Sequence, residues 1–348
     1  MISAYLNSLP VHIWSIGTLK WWETTTLINI LKLTKNEISK AFSRRIIISL
    51  ICFTFLLIFL LGLYIQNSAS GFSERQLKNW KAYMQSEIEA NNSIMNDPTI
   101  GFSSQSIITE MINQNKVYQY QIDNNIPPIL NKSASTLVLK ANDLFLFITI
   151  CVIMLSCYLI TTEYSNGTMS RLVVTCAKRW KILLSKCLSI VFLSLIFVII
   201  FILCSVLCGW ALFGFDDFSV QYVYFNGQEI VHRNVLAQLS LCALYNSLSL
   251  CAISSLAIFV AILTRSNLLG ISLCFGISAF GSLLCTAFPD SSILKYTLFA
   301  NTDYSKYLTN SVGYGDSSPL FSLIVLLSHS IIFIGAAFFI FNKRDVTY

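Results

Sequence analysis

The side chains able to do chemistry are concentrated in one segment. Glu163 to Lys186, EYSNGTMSRLVVTCAKRWKILLSK, carries Arg171, Lys178, Arg179, Lys181 and Lys186 against a single acid, Glu163. Such a basic segment between two long apolar runs suits the docking of a partner or contact with anionic lipid. Elsewhere reactive types are scattered: His329 in the last apolar run, Gln238 and Asn246 in the fourth, and Cys204 and Cys208 on one helix face of the third. No His or carboxylate in that third run completes a metal site. There is no G-x-x-x-x-G-K-[ST] phosphate loop, no G-x-S-x-G elbow and no H-E-x-x-H pair. The chain is therefore expected to be no enzyme, to hydrolyse no ATP itself and to hold no metal or cofactor. With so few ionisable groups in the runs it does not suit proton or ion relay, and His329 reads as a structural histidine satisfied by its neighbours.

The elements that position these residues follow from composition. Of 348 residues 55% are hydrophobic and 11% charged, and the apolar ones come in unbroken runs. Six runs are long enough to cross a hydrocarbon core of about 30 Å as helices: Ile46 to Ile65, Leu144 to Thr162, Cys187 to Phe215, Val235 to Leu263, Asn267 to Phe288 and Leu320 to Phe341. None contains Asp, Glu, Lys or Arg, and none has the alternation of a barrel strand. The predicted fold is an all-α polytopic membrane protein.

Lys and Arg number six in residues 1–45, five in 163–186, one in 264–266 and two in 342–348. The loops 216–234 and 289–318 carry one and two, against three acids each. The positive-inside bias thus puts both termini and the 163–186 hairpin in the cytoplasm, with 66–143, 216–234 and 289–318 outside. The net charge of +6 gathers on the inner face, so it points to membrane and partner surfaces rather than nucleic acid. All eleven cysteines fall in the spans or the inner hairpin, so no disulfides are expected. The first run is a full span behind a polar segment, which makes it a targeting helix in its own right, with no cleavable leader.

Leu27, Leu31, Ile38 and Phe42 recur at helical spacing within residues 1–45, a pattern that predicts an amphipathic helix lying in the interface. Residues 66–143 read as an outer domain of two helices, Ser73 to Met95 and Ser103 to Asn124. Trp80, Met84, Ile88, Ile107, Met111 and Ile112 are its expected seam. Asn226-Gly227 between two β-prone runs predicts a hairpin. Gly270, Cys274, Ser278 and Ser282 repeat every four residues in the fifth span and predict a close-packing face.

Within the basic segment, Gly167 permits a chain reversal, and Met169, Leu172, Val173 and Cys176 share an apolar face beside Arg171 and Lys178. That predicts a short amphipathic helix lying across the membrane axis. The order Glu163, Gly167-Thr168, a short helix, Arg179 and then Lys186 opening the third span resembles the permease subunit of ABC-2 type ATP-binding cassette exporters. The ending Phe341-Asn342-Lys343-Arg344-Asp345-Val346 is similar too, whereas Thr175-Cys176-Ala177 stands where such permeases often have Pro. The resemblance implies that Glu163, Gly167, Thr168, Met169, Arg171, Leu172, Arg179 and Lys186 couple the chain to a separate ATPase, present in two copies, that binds ATP and Mg. It further implies pairing with a second permease chain, identical or different, in a bacterial plasma membrane, and export of amphiphilic or hydrophobic cargo. Two other classes fit the same residues: an ATP-independent channel or carrier, and a membrane sensor or immunity protein using the outer domain.

Overall fold

A computed structural model of the chain describes residues 30–43, 45–68, 72, 74–96, 105–168, 179–215, 218, 220–225, 229–288, 291–302 and 318–343. Six helices among them are long and apolar enough to cross a membrane. Helix α1 covers residues 30–42, and α2 is Arg45–Asn67. Two polar helices follow, α3 (Trp80–Met95) and α4 (Gln105–Asp123). Next come α5 (Ala134–Lys140), a 3-10 turn (Ala141–Leu144) and α6 (Phe145–Ser165). The bundle is completed by α7 (Arg179–Phe213), α8 (Val235–Thr264), α9 (Asn267–Ala287) and α10 (Pro319–Lys343).

Two spans start earlier than their apolar runs suggest. The second is reached through α5, whose first turn is capped by Ser133: its hydroxyl accepts from the Thr136 amide at 3.2 Å. The third begins at Arg179 rather than Cys187, because Arg179 to Lys186 contains no Gly or Pro and buries Ile182 and Leu183. Arg179, Lys181 and Lys186 thereby become helical. Most enclosed of the six is α8. Its Ala252, Ser254, Ser255, Ala257 and Ala261 are buried, and small residues let neighbouring backbones approach closely.

The small-residue face of α9 differs from the expected one. Gly270 and Cys274 are buried, but Ser278 is half-buried and Ser282 exposed, while Gly281 and Cys285 continue the face. A repeat of four drifts about 40° per step on a helix of 3.6 residues per turn, so the third step has left the contact. Gly281 is where the Phe299 ring packs, and an added Cβ there would run into that ring. Phe299 belongs to residues 291–302, part of the expected outer loop, which instead fold back between α9 and α10. There Leu298, Ala300 and Asn301 are buried, and Ser322 of α10 donates to the Asn301 side chain. Burial of the apolar Leu298, Phe299 and Ala300 makes that insertion favourable.

At the same end of the bundle, β1 (Gln221–Phe225) and β2 (Ile230–Asn234) pair antiparallel with Gln221 opposite Asn234 and Phe225 opposite Ile230. The predicted Asn226-Gly227 turn lies outside the described residues. Helix α4 lies against this hairpin, with Lys116 4.9 Å above the Phe225 ring. The seam between α3 and α4 buries Met84, leaves Ile88 and Met111 half-buried and adds polar contacts: Asn91 donates to Asn115 at 2.8 Å and Asn115 to Asn92 at 3.0 Å. Ile112, expected in that seam, is 42% exposed.

Candidate functional site

The opposite end of the bundle carries the charged residues of α1, α6 and α7. Helix α6 runs past its apolar stretch to Glu163 and stops at Gly167, whose φ of +66° is a left-handed conformation that favours glycine. The Thr168 amide donates to the Glu163 carbonyl at 3.1 Å and the Gly167 amide to the Tyr164 carbonyl at 3.2 Å, the paired bonds of a Schellman cap. This stop leaves the Glu163 carboxylate turned into the protein, 8% exposed.

Helix α1 arrives from the other side. Ile30, Thr34, Glu37 and Ala41 are buried at helical spacing, while Leu31 and Phe42 are exposed. Of the predicted Leu27-Leu31-Ile38-Phe42 stripe, Leu31 and Phe42 face outward, Ile38 is half-buried against the core and Leu27 lies outside the described residues, while the inward face holds an acid. Ser189 of α7 donates to the Thr34 carbonyl at 3.3 Å, fixing the two helices side by side.

Where α1, α6 and α7 meet, four charges form a clasp. Lys186, 3% exposed, donates to Glu37 Oε2 at 2.8 Å and to the Leu159 carbonyl at 3.0 Å. Its ammonium also lies 3.0 Å from Glu163 Oε2, an ionic contact outside hydrogen-bond geometry. Lys40 closes the ring, 2.9 Å from Glu37 Oε1 and 3.6 Å from Glu163 Oε1. Two carboxylates and two ammonium groups cancel, which is what makes burial tolerable. A cavity of about 30 Å³ among these side chains has room for one or two waters and nothing larger. The clasp is a joint, with no space for a ligand.

Glu37 and Lys40 are held ionised by the charges around them. Burial pushes the Glu37 carboxyl up, but the Lys186 and Lys40 ammonium groups outweigh it and keep the group below its ordinary 4.5. Burial likewise lowers Lys40, and the Glu37 and Glu163 carboxylates more than restore it, leaving it above 10.5.

Two more contacts tie this end together. Arg265, left-handed at φ +52° where α8 passes into α9, sits 5.5 Å above the Tyr164 ring. Arg179 donates to the Asn342 carbonyl at 3.4 Å, joining the start of α7 to the end of α10.

Of the residues singled out by sequence, Glu163 and Lys186 are thus brought together; Gly167 and Thr168 form the cap below them; Arg179 stands apart against α10. Met169, Arg171, Leu172 and the predicted helix they share lie outside the described residues. Glu37 and Lys40 escaped the sequence reading. Glu37 could have been found as the acid in the small and apolar series Ile30, Thr34, Ala41, since a carboxylate on a buried face requires a cation nearby.

Residues 102–347 match the family described as "Protein of unknown function (DUF2705)". The chain belongs to this family. The DUF2705 match takes in Glu163 and Lys186, whereas Glu37 and Lys40 precede it. The chain is also 26% identical over 330 residues to "Uncharacterized protein YhcI" of Bacillus subtilis (strain 168), covering 91% of this chain and 99% of the relative. It is 26% identical over 204 residues to "Uncharacterized membrane protein YdbK" of the same organism, covering 56% of this chain and 76% of that relative. With its six apolar helices, the chain is a multi-pass membrane protein.

Proposed function

We propose that the chain is the permease subunit of an ABC-2 type ATP-binding cassette exporter. In this reading it lies in a bacterial plasma membrane with both termini and the clasp on the cytoplasmic side. A separate ATPase, present in two copies, binds ATP and Mg and grips the segment between α6 and α7, and a second permease chain, identical or different, completes the pathway. Amphiphilic or hydrophobic cargo, such as an antimicrobial peptide, a drug or a lipid-like molecule, suits spans whose apolar runs carry no charge.

The observation that carries the reading is the clasp. The segment after Glu163 leaves α6 at Gly167 and rejoins α7 ahead of Lys186, and both of its roots are bound to α1 by one buried ion cluster. A partner pressing on that segment would move α1, α6 and α7 as one body, the rigid coupling an external motor needs.

The test is purification of the tagged chain in mild detergent from its own bacterium. An ATPase is expected to accompany it, with turnover that rises on adding an amphiphile, and Arg171→Glu is expected to release the ATPase while the chain keeps its melting temperature. A chain that purifies alone and conducts in a planar bilayer is a channel or carrier instead. Turnover that responds to sodium or a glycan and ignores every amphiphile removes the cargo assignment.

A second reading, a membrane sensor, draws on the other end of the bundle. There α4, β1 and the start of the second span enclose a cavity of about 410 Å³ lined by Tyr118, Gln121, Lys140, Asp143 and Tyr222. Deletion of 74–123 that abolishes a cellular response yet spares ATP turnover would favour it.

A further inference from the structure

Separately from the clasp, α8, α9, α10 and residues 291–302 line a cavity of about 690 Å³. Volumes of roughly 300–1,000 Å³ accommodate drug-sized molecules. Its walls are apolar, built from Leu256, Phe259, Leu263, Leu273, Ile277 and Phe333. Leu273, Ile277 and Ile293 are also exposed on the outer surface of the bundle, so the mouth opens sideways between the spans. A molecule dissolved in the bilayer would enter there.

Few polar groups reach this space, and most are engaged. Thr264 donates to the Val260 carbonyl at 3.0 Å and Thr297 to the Leu294 carbonyl at 2.7 Å. Tyr296 stands at the mouth with its ring edge-on to Phe321, 5.4 Å away. His329 is different. Its Nδ1 lies 2.9 Å from the Val325 carbonyl. A carbonyl oxygen only accepts, so Nδ1 carries the proton; in the tautomer protonated there, Nε2 is an acceptor on the side of the ring away from that carbonyl. Nε2 has no hydrogen-bond partner among the described residues, while the ring packs against Phe333 at 6.1 Å. His329 is half-buried, and an acceptor that faces apolar walls without a donor is unfavourably placed.

We propose that this cavity binds a neutral, largely apolar molecule carrying one hydroxyl or N–H donor, seated on His329 Nε2 with its chain along Phe259, Leu273 and Ile277. A long-chain alcohol is the simplest member of the class. A charged or multiply polar headgroup would find one partner and leave its remaining polar groups unpaired in hydrocarbon, and a plain acyl chain would leave Nε2 unfilled. The site stands on this geometry alone, whether or not an ATPase drives the chain.

The experiment uses the full chain in phosphatidylcholine nanodiscs and a hexadecanol analogue bearing a mid-chain diazirine and a terminal alkyne. Photolabelling is expected to be saturable, displaced by hexadecanol, and concentrated on peptides spanning 256–264 and 273–277. The methyl ether of the same probe should label roughly five- to tenfold less, the effect of one lost hydrogen bond. His329→Leu should bring the alcohol down to the level of the ether, and His329→Gln, which restores an acceptor, should recover it. Ile277→Trp fills the cavity and should remove labelling, while Ile331→Phe on the exposed side of α10 should leave it intact. Equal labelling by alcohol and ether, or unchanged labelling in Ile277→Trp, overturns the proposal. Because the ether comparison uses the unaltered chain, it decides the matter even where a variant fails to fold.

Discussion

The clasp and the mid-bundle cavity bury polar groups in opposite ways. At the clasp, every charge faces a counter-charge and the space left admits only water. In the cavity, one histidine nitrogen is left open in a space large enough for a molecule. A self-satisfied polar cluster fixes how helices meet, whereas an unsatisfied one in a roomy apolar pocket waits for a ligand. The lesson is that charge density alone does not mark a binding site, even where the sequence concentrates it.

The contrast can be broken most forcefully at Lys186. Lys186→Met leaves Glu37 and Glu163 facing each other with only the partly exposed Lys40 between them, and removing one partner of a buried pair costs about 3–5 kcal/mol. A matching fall in the thermal stability of the purified chain is expected, with faster proteolysis at Lys32, Lys35 and Lys40 as α1 detaches. A variant as stable as the parent would mean the ion cluster does not organise this end.

Next in size is Gly281→Ala. The new Cβ enters the space of the Phe299 ring and pushes residues 291–302 outward, an overpacking worth about 1–3 kcal/mol. The cavity should change shape with it, seen as weaker photolabelling at 273–277 while proteolysis of α1 is unaffected.

Acid sharpens the comparison without mutation. The folded chain holds Glu37 below its ordinary value of 4.5, so its contribution is complete above that pH and is lost as pH falls through the lower folded value. Lys40 is held above 10.5, so its share is complete below that pH and fades as pH rises past it, weakly because the side chain is 42% exposed. Melting temperature should therefore be level from neutral down to about pH 5 and fall below 4.5, and Lys186→Met should flatten the acid limb. The smallest effect is expected at His329→Leu. Exchanging an unpartnered acceptor for an apolar group should shift stability by less than about 1 kcal/mol, although it lowers alcohol labelling to the level of the ether.

How far the sequence foretold these regions depends on what each rests upon. Charge-free runs define the spans because lipid imposes one solution on them, and four of the six runs match their helices to within a turn. The Gly167 reversal was legible for the same local reason, a glycine where φ must be positive. The clasp was not, since Glu37 and Lys186 are joined only through the docking of α1 against α7, a contact across most of the first half of the chain. The insertion of 291–302 was hidden by its polar neighbours, and the α9 face was misdrawn because a strict spacing of four slides off a helix of 3.6 residues per turn. His329 was expected to be satisfied by its neighbours; its Nδ1 bonds its own helix, whereas its second nitrogen has no partner among the described residues and could be seen only with the cavity around it.

Glu163→Lys would place three ammonium groups in the clasp and would confuse unfolding with uncoupling, so the coupling claim is better tested below it. The decisive measurement is the ratio of amphiphile efflux to ATP hydrolysed in proteoliposomes holding the chain and the ATPase proposed for it, compared with the same complex carrying Gly167→Pro. Proline cannot adopt the +66° conformation and lacks the amide that bonds Tyr164, so the rigid link from the gripped segment to α6 is cut while the ion cluster above it stays. The account predicts that ATP hydrolysis persists and efflux falls at least tenfold, a loss of roughly 1.4 kcal/mol or more in coupling. Efflux per ATP equal to that of the unaltered complex would contradict it.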